Sequence, residues 1–234
     1  MELIMLKKIR NMISFLIQDM LRGLSGSLGI RLRYAYYSKK LGHLGKGVVI
    51  NMDVYFLGPE GIHIGDNTHI DKGCYLISGV GTSTSGREII EKKTELKARQ
   101  HNKIFIGKNC HIGKHTHIHG YGGVYFGDSS VTSYGVQIHS ISSLPRSPAS
   151  PGAVVSIVPY TGQSPSLIGN IIFGDNCWLG LNTIVLPGVS IDQNSFVRSN
   201  SLVDSSFSEN SYIAGDPAVQ RGKRYKMDAV GPKK

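Results

Sequence analysis

A six-residue apolar period, a small residue four positions after each apolar one, and 29 glycines spaced along 234 residues predict an all-β solenoid. The expected form is a left-handed parallel β-helix of about six triangular coils, with an N-terminal amphipathic helical segment and two loops leaving from one edge. The period is plainest at Phe173, Leu179, Val185, Ile191, Val197 and Val203, all apolar. Four positions on stand Cys177, Thr183, Val189, Ser195 and Ser201, all small. A hexad of this kind turns one corner of a triangular coil, three hexads close a turn, and turns stack at about 4.8 Å. Neither a helical period nor simple alternation reproduces the pattern.

The same frame runs earlier through Ile64 and Ile70, Ile106 and Ile112, and Phe126, with Thr132 a weak hexad and Phe56 a poor fit. Coils are expected to begin near Leu44, Ile64, Ile106, Phe126, Phe173 and Ile191. The period breaks between Phe56 and Ile64, over 78–105, between Ile118 and Phe126, and over 140–172. Every break falls in the third hexad of its coil, so all insertions leave one edge of the prism, as in solenoids that carry their binding apparatus there. The domain plan is therefore a helical segment over 1–40, the β-helix over 41–205 with insertions at 78–105 and 140–172, and a basic tail over 206–234. Cys74, Cys110 and Cys177 all occupy the small interior position and read as buried small hydrophobes rather than a disulfide or a catalytic thiol.

Charged residues make up only 18% of the chain, which excludes a disordered polyelectrolyte. The net charge of +10 is confined to two ends. Residues 1–40 hold eight Lys or Arg against Glu2 and Asp19, and residues 221–234 hold six against Asp228. A near-neutral middle does not suit nucleic acid; a basic C-terminus suits the phosphates of a nucleotide-like cofactor, and a basic N-terminus suits an anionic membrane. Leu3, Met5, Leu6, Ile9, Ile13, Leu16 and Ile17 fall largely on one helical face. This face has three berths open to it: the prism, a neighbouring subunit, or peripheral contact with a membrane. Capping the open end of the solenoid is the commoner use and is the expectation. Met5–Leu21 is interrupted by Lys7, Lys8, Arg10 and Asp19, with no small-residue cleavage site after it. With no uncharged run of about 18 residues, the default location is cytoplasmic, with the inner face of the membrane as a berth.

The stretch Phe173-Gly-Asp-Asn-Cys-Trp-Leu-Gly-Leu-Asn-Thr-Ile-Val-Leu-Pro-Gly-Val189, followed by Ile213-Ala-Gly-Asp-Pro-Ala218, resembles the hexapeptide-repeat acyltransferases. The resemblance covers roughly residues 40–226. Gly29-Ile-Arg-Leu-Arg33 and Gly58-Pro-Glu-Gly61 are similar to sugar and polysaccharide O-acetyltransferases. The resemblance implies a homotrimer with sites in the grooves between prisms, acetyl-CoA as co-substrate, and a histidine as general base. Exposed apolar edges, such as Tyr121, Tyr125 and Tyr134, would give the trimer its physical motive. It also implies Trp178, Gly180 and Leu181 beside the pantetheine channel, Ser199 at the pantetheine amides, and Lys223 and Arg224 on the nucleotide phosphates. Where relatives often carry Thr-Lys, this chain has Asp204-Ser205.

In many relatives the base stands about five residues after the last apolar residue before the long loop; here that position is Ser143. The repeat frame offers His139 and His119 instead. Each follows an inward isoleucine in the third hexad of successive coils, which stacks them on one face. His139 also stands at the mouth of the 140–172 loop. His115 and His117 read as structural or interfacial. No metal is expected, since no carboxylate or cysteine ligand joins the cluster in the expected register. The leading function is acetyl transfer from acetyl-CoA to a sugar hydroxyl of a surface polysaccharide, glycolipid or precursor. The alternatives are N-acetylation of an amino sugar nucleotide or small amine, with the charged 87–99 loop supplying a phosphate pocket, and a catalytically silent scaffold.

Overall fold

The computed structural model describes residues 2–79, 89–92, 100–144 and 165–225, without the side chains of 2–11 and 15. Two helices, α1 (Glu2–Gly23) and α2 (Gly26–Tyr37), precede a left-handed triangular β-helix. Its first face stacks His43–Leu44, Ile62–Ile64, Ile104–Ile106, Val124–Phe126, Ile171–Phe173 and Ser190–Ile191, in that order. The third face stacks Tyr55–Leu57, Tyr75–Ser78, His117–Gly120, Gln137–His139, Ile184–Val185 and Leu202–Val203. All six expected coil starts fall on first-face strands.

The hexad builds this shape by dividing its work. The apolar residue points inward and stacks on its counterpart one coil away: Ile50, Ile70, Ile112, Leu179, Val197 and Ile213 form one column of the second face, each at most 1% exposed. Thr132 interrupts that column, and its buried hydroxyl meets that of Thr116 at 3.0 Å and accepts from Gly113 N at 2.9 Å. The small residue lies where the coil turns and serves the neighbouring backbone. Ser130 Oγ donates to Gly174 O and accepts from Cys177 N. Cys74, Cys110 and Cys177 are free and buried; burial pushes their thiols up to about 12, 11 and 11. They are inert packing atoms.

Two corners of the triangle demand a left-handed backbone. Between the first and second faces Asn67, Asn109, Ser129, Asn176, Asn194 and Asn210 all have φ of 54–58° or 60°. Between the second and third faces Asp53, His115, Asn182 and Asn200 do the same. Asparagine tolerates this region best among residues with a side chain, and here its amide also bonds along the stack. Asn176 Nδ2 donates to Asn194 Oδ1 at 2.9 Å. Asn194→Ala should therefore cost about 1–2 kcal/mol, from backbone strain plus one lost bond, and Asn194→Gly less. Chemical denaturation of the two variants checks the order. His115, at φ 57°, is a corner residue.

All insertions leave between the third and first faces. Pro59–Gly61 makes a short 3₁₀ turn after Gly58, and Ser78 Oγ donates to Gly58 O at 2.6 Å. The two long insertions pair with each other: Ile141–Ser143 runs antiparallel to Ser166–Ile168, which runs parallel to Ile89–Glu91. This three-stranded brace has no periodic sequence signal. Lys92 extends from it so that Nζ donates to Asp204 O at 2.7 Å, linking an insertion of the second coil to the sixth. The 87–99 loop lies outside the described residues except at 89–92, and so does the Pro-rich stretch over 145–164.

Residues 206–225, expected as part of a tail, instead continue the fold. Phe207 bridges to Ile191, and Ser211–Gly215 pairs with Phe196–Val197. The hexad restarts after a four-residue step from Val203, with Ser211 four positions and Ile213 six positions beyond Phe207. Ser211–Gly215 then forms an antiparallel hairpin with Ala218–Lys223.

The N-terminal helices also depart from expectation. The open end of the first coil is capped by α2, whose Gly29, Arg33 and Tyr37 are buried. Tyr37 meets Phe56 edge-on at 4.7 Å. A Cβ on Gly29 would lie 2.2 Å from Leu24 O, so only glycine lets α2 pack this closely on the turn that leads into it. Helix α1 packs through polar groups: Ser14 Oγ lies 3.0 Å from Tyr36 Oη, Gln18 Nε2 donates to Phe56 O at 3.4 Å, and the Arg22 guanidinium lies over Tyr55. The described part of its apolar stripe, Ile13, Leu16 and Ile17, is exposed and does not cap the prism.

Candidate active site

The third face gathers the histidines. Strand pairing places His117 between Tyr75 and Gln137, and His119 between Ile77 and His139. These side chains point outward because Ile118 and Ile138, between them in sequence, point in and are fully buried. The His119 and His139 rings are 6.5 Å apart between centroids, and His117 and His139 are 5.6 Å apart. His139 Nε2 lies 3.4 Å from Gln137 Oε1. All three imidazoles are half-buried.

Three imidazoles crowded together resist protonation. Burial pushes the His119 pKa down to about 4, with help from His139 and His117. Burial and His117 lower that of His139, and burial alone lowers that of His117. Neutral pH therefore finds them uncharged. Elsewhere in the histidine series a carboxylate is present that spacing did not place: Asp71 Oδ2 lies 3.0 Å from His111 Nε2. No group of three metal-ligating side chains forms among the described residues.

The residues implied for the cofactor divide into two places. Trp178, Gly180, Leu181 and Ser199 lie together on the second face and the corner leading to the third. Trp178 and Leu181 are each 46% exposed, Trp178 Nε1 donates to Ser133 Oγ, and Leu181 N donates to Ser199 Oγ at 3.1 Å. A Cβ on Gly180 would fall 2.5 Å from Ser199 N, so the coils touch there. Below them opens a cavity of about 510 Å³ lined by Arg198, Ser199, Asn200, Tyr212, Ala214, Gly215 and Arg221.

Arg224, implied for the phosphates, is a correction. Its guanidinium is turned onto the other corner, where it donates to Asn176 O and Ser195 O and lies over the Tyr225 ring. The terminal hairpin carries it past the cavity, and two backbone carbonyls share its Nη1. Lys223 is exposed, paired in register with Ser211. The cations at the cavity are instead Arg198 and Arg221; both are visible as basic residues in the sequence, but only the hairpin geometry brings them together. Tyr121 and Tyr125 are a second correction: at 9% and 4% exposure they are covered by their own chain, Tyr125 between Phe105 and the Gln100 carbonyl. Tyr134 is 50% exposed.

Residues 170–205 match the family model for the hexapeptide repeat of succinyl-transferase. The chain is 28% identical over 172 residues to the putative lipopolysaccharide biosynthesis O-acetyl transferase WbbJ of Escherichia coli, covering 73% of this chain and 76% of that protein. A shorter match, 32% over 62 residues, covers 26% of this chain and 30% of a chloramphenicol acetyltransferase of Klebsiella aerogenes. Among solved structures, AntD, an N-acyltransferase from Bacillus cereus in complex with dTDP and 3-hydroxybutyryl-CoA, superposes with a TM-score of 0.65 at 20% identity. That likeness, over 82% of this chain and 88% of AntD, is one of fold. The repeat, the coils it builds and the sequence likenesses agree: the chain carries the hexapeptide repeat and is similar to the hexapeptide-repeat acyltransferases.

Proposed function

We propose that the protein transfers an acetyl group from acetyl-CoA to a sugar hydroxyl of a surface polysaccharide, glycolipid or precursor, with His139 as general base. The observation that carries this reading is the stacked, uncharged pair His119–His139 on the edge from which both long insertions depart. With His139 Nε2–H donated to Gln137 Oε1, the Nδ1 lone pair takes the acceptor proton. The alkoxide oxygen attacks the thioester carbonyl, backbone amides steady the oxyanion, and the C–S bond breaks. The imidazolium returns its proton to the departing CoA thiolate. His119, the weaker base of the two, holds His139 in place.

The cavity at Arg198 and Arg221 fits the nucleotide end of CoA, since two guanidiniums and the Ser199 hydroxyl offer donors to phosphate. Trp178, Gly180 and Leu181 lead from that cavity along the corner toward the third face. In a trimer, a second copy would close this corner and cover His117, whose Nε2 is buried with no hydrogen-bond partner among the described residues.

The assay is thiol release from acetyl-CoA with a panel of sugar and amino-sugar acceptors. Turnover with a hydroxyl acceptor supports O-transfer; turnover restricted to amines moves the reading to N-acylation. Bound acetyl-CoA with no turnover on any acceptor sinks the enzyme reading in favour of a scaffold. Arg198→Ala and Arg221→Ala should each weaken acetyl-CoA binding about 10- to 100-fold, the scale of a charge-assisted bond, while Arg224→Ala changes it little. Isothermal titration separates the three variants.

A further inference from the structure

Helix α1 is amphipathic in the inverted sense for a capping helix. Toward the prism it presents Ser14, Gln18 and Arg22, which bond to Tyr36, the Phe56 carbonyl and the Tyr55 ring. Away from the prism it presents Met12, Ile13, Leu16, Ile17 and Met20, between 42% and 74% exposed. Leu24 and Leu28 extend the stripe across the turn into α2, at 41% and 65% exposure. A continuous apolar stripe of this kind on a soluble surface calls for an occupant.

The net charge of the segment that carries the stripe selects that occupant. Residues 1–40 hold eight Lys or Arg against Glu2 and Asp19, and of the eight only Arg33 is buried among those whose side chains are described. Two copies meeting stripe to stripe would bring like charges together, whereas an anionic bilayer attracts the same charges. No described helix is long and apolar enough to cross a membrane. We propose that α1 and the start of α2 form an interfacial membrane anchor, lying in the headgroup region of an anionic bilayer with the apolar stripe toward the acyl chains. The anchor sits at the open end of the first coil, so the prism stands off the surface on its N-terminal end. The inference does not rest on the acetyl-transfer reading.

The test is co-sedimentation of the full chain with vesicles of phosphatidylcholine alone, or with about 30 mol% phosphatidylglycerol added. The wild-type chain should bind the anionic vesicles, and binding should fall steeply toward about 0.5 M salt. Leu16→Glu combined with Met20→Glu should cut binding about 100-fold. Both side chains are exposed, so the variant should melt as the wild type does. Wild-type protein that ignores anionic vesicles, or a double variant that binds them equally well, overturns the proposal. A particle mass in vesicle-free solution that drops in the double variant overturns it too, since the stripe would then join copies of the chain. Thiol release with a soluble acceptor, measured on the same samples, tests the catalytic reading separately.

Discussion

His139→Ala should lower kcat for acetyl transfer about 100-fold or more, the scale expected for a lost general base, with little change in the KM for acetyl-CoA. His119→Ala should cost about tenfold or less, because an imidazole held near pKa 4 is a poor proton acceptor at neutral pH and acts by positioning its neighbour. The pH profile distinguishes the two. A base is competent when unprotonated, so kcat/KM rises with pH through the pKa of the free enzyme's base. Burial and His117 lower the His139 pKa, which puts the midpoint of the rise below the ordinary histidine value of about 6.5. If His119 were the base, the rate would stay nearly flat down to about pH 5, given the larger depression of its pKa. Steady-state rates from pH 4.5 to 8, taken before acid unfolding sets in, decide between them. A dead His119→Ala beside an active His139→Ala would move the base one coil toward the N-terminus.

What made the coils readable was the rigidity of the period. A hexad that slips by one residue turns a buried isoleucine such as Ile118 to the outside, so sequence register and strand register are one quantity. The same logic placed His119 and His139 on one face before any coordinate, since each follows an inward isoleucine. It failed where periodicity ends. The brace formed by Ile89–Glu91 with Ser166–Ile168 depends on two loops meeting across several coils, and no local pattern encodes that meeting. The direction of Arg224 is set by a hairpin that doubles back after Gly215; the sequence carries its charge but not its direction. The partial seventh coil, expected as part of a tail, went unread although Phe207, Ser211 and Ile213 repeat the hexad, because a four-residue slip breaks the frame after Val203. For α1 the apolar stripe was visible, yet a stripe does not state which way it faces. Polar bonds from Ser14 and Gln18 settle that.

The side chain that holds those helices is Arg33, and replacing it should have the largest effect on stability. At 1% exposure its guanidinium donates through Nε to Ile50 O at 2.9 Å, and through one terminal nitrogen to Leu21 O at 2.8 Å and Leu24 O at 2.6 Å. The last two carbonyls lie at the C-terminal end of α1, where a helix has unpaired acceptors and partial negative charge. Ile50 belongs to the first coil, so one cation ties α1 to the open end of the prism. Burial lowers the Arg33 pKa, but these carbonyl dipoles, with Asp53 nearby, keep the charge tolerable. Arg33→Met preserves much of the volume and leaves three acceptors without their donor. The expected loss is about 3 kcal/mol or more, a drop in Tm of roughly 6–12 °C for a chain of this size. Arg33→Lys should lie between, because one ammonium cannot serve three carbonyls in the guanidinium's geometry. Calorimetry gives the shift, and hydrogen exchange shows where it acts. Faster exchange confined to α1, α2 and the first coil means the end frays while later coils hold, as nearest-neighbour stacking in a solenoid predicts. An Arg33→Met melt within about 1 °C of wild type, the equivalent of a few tenths of a kcal/mol, would mean that Tyr37 and Phe56 hold the cap without it.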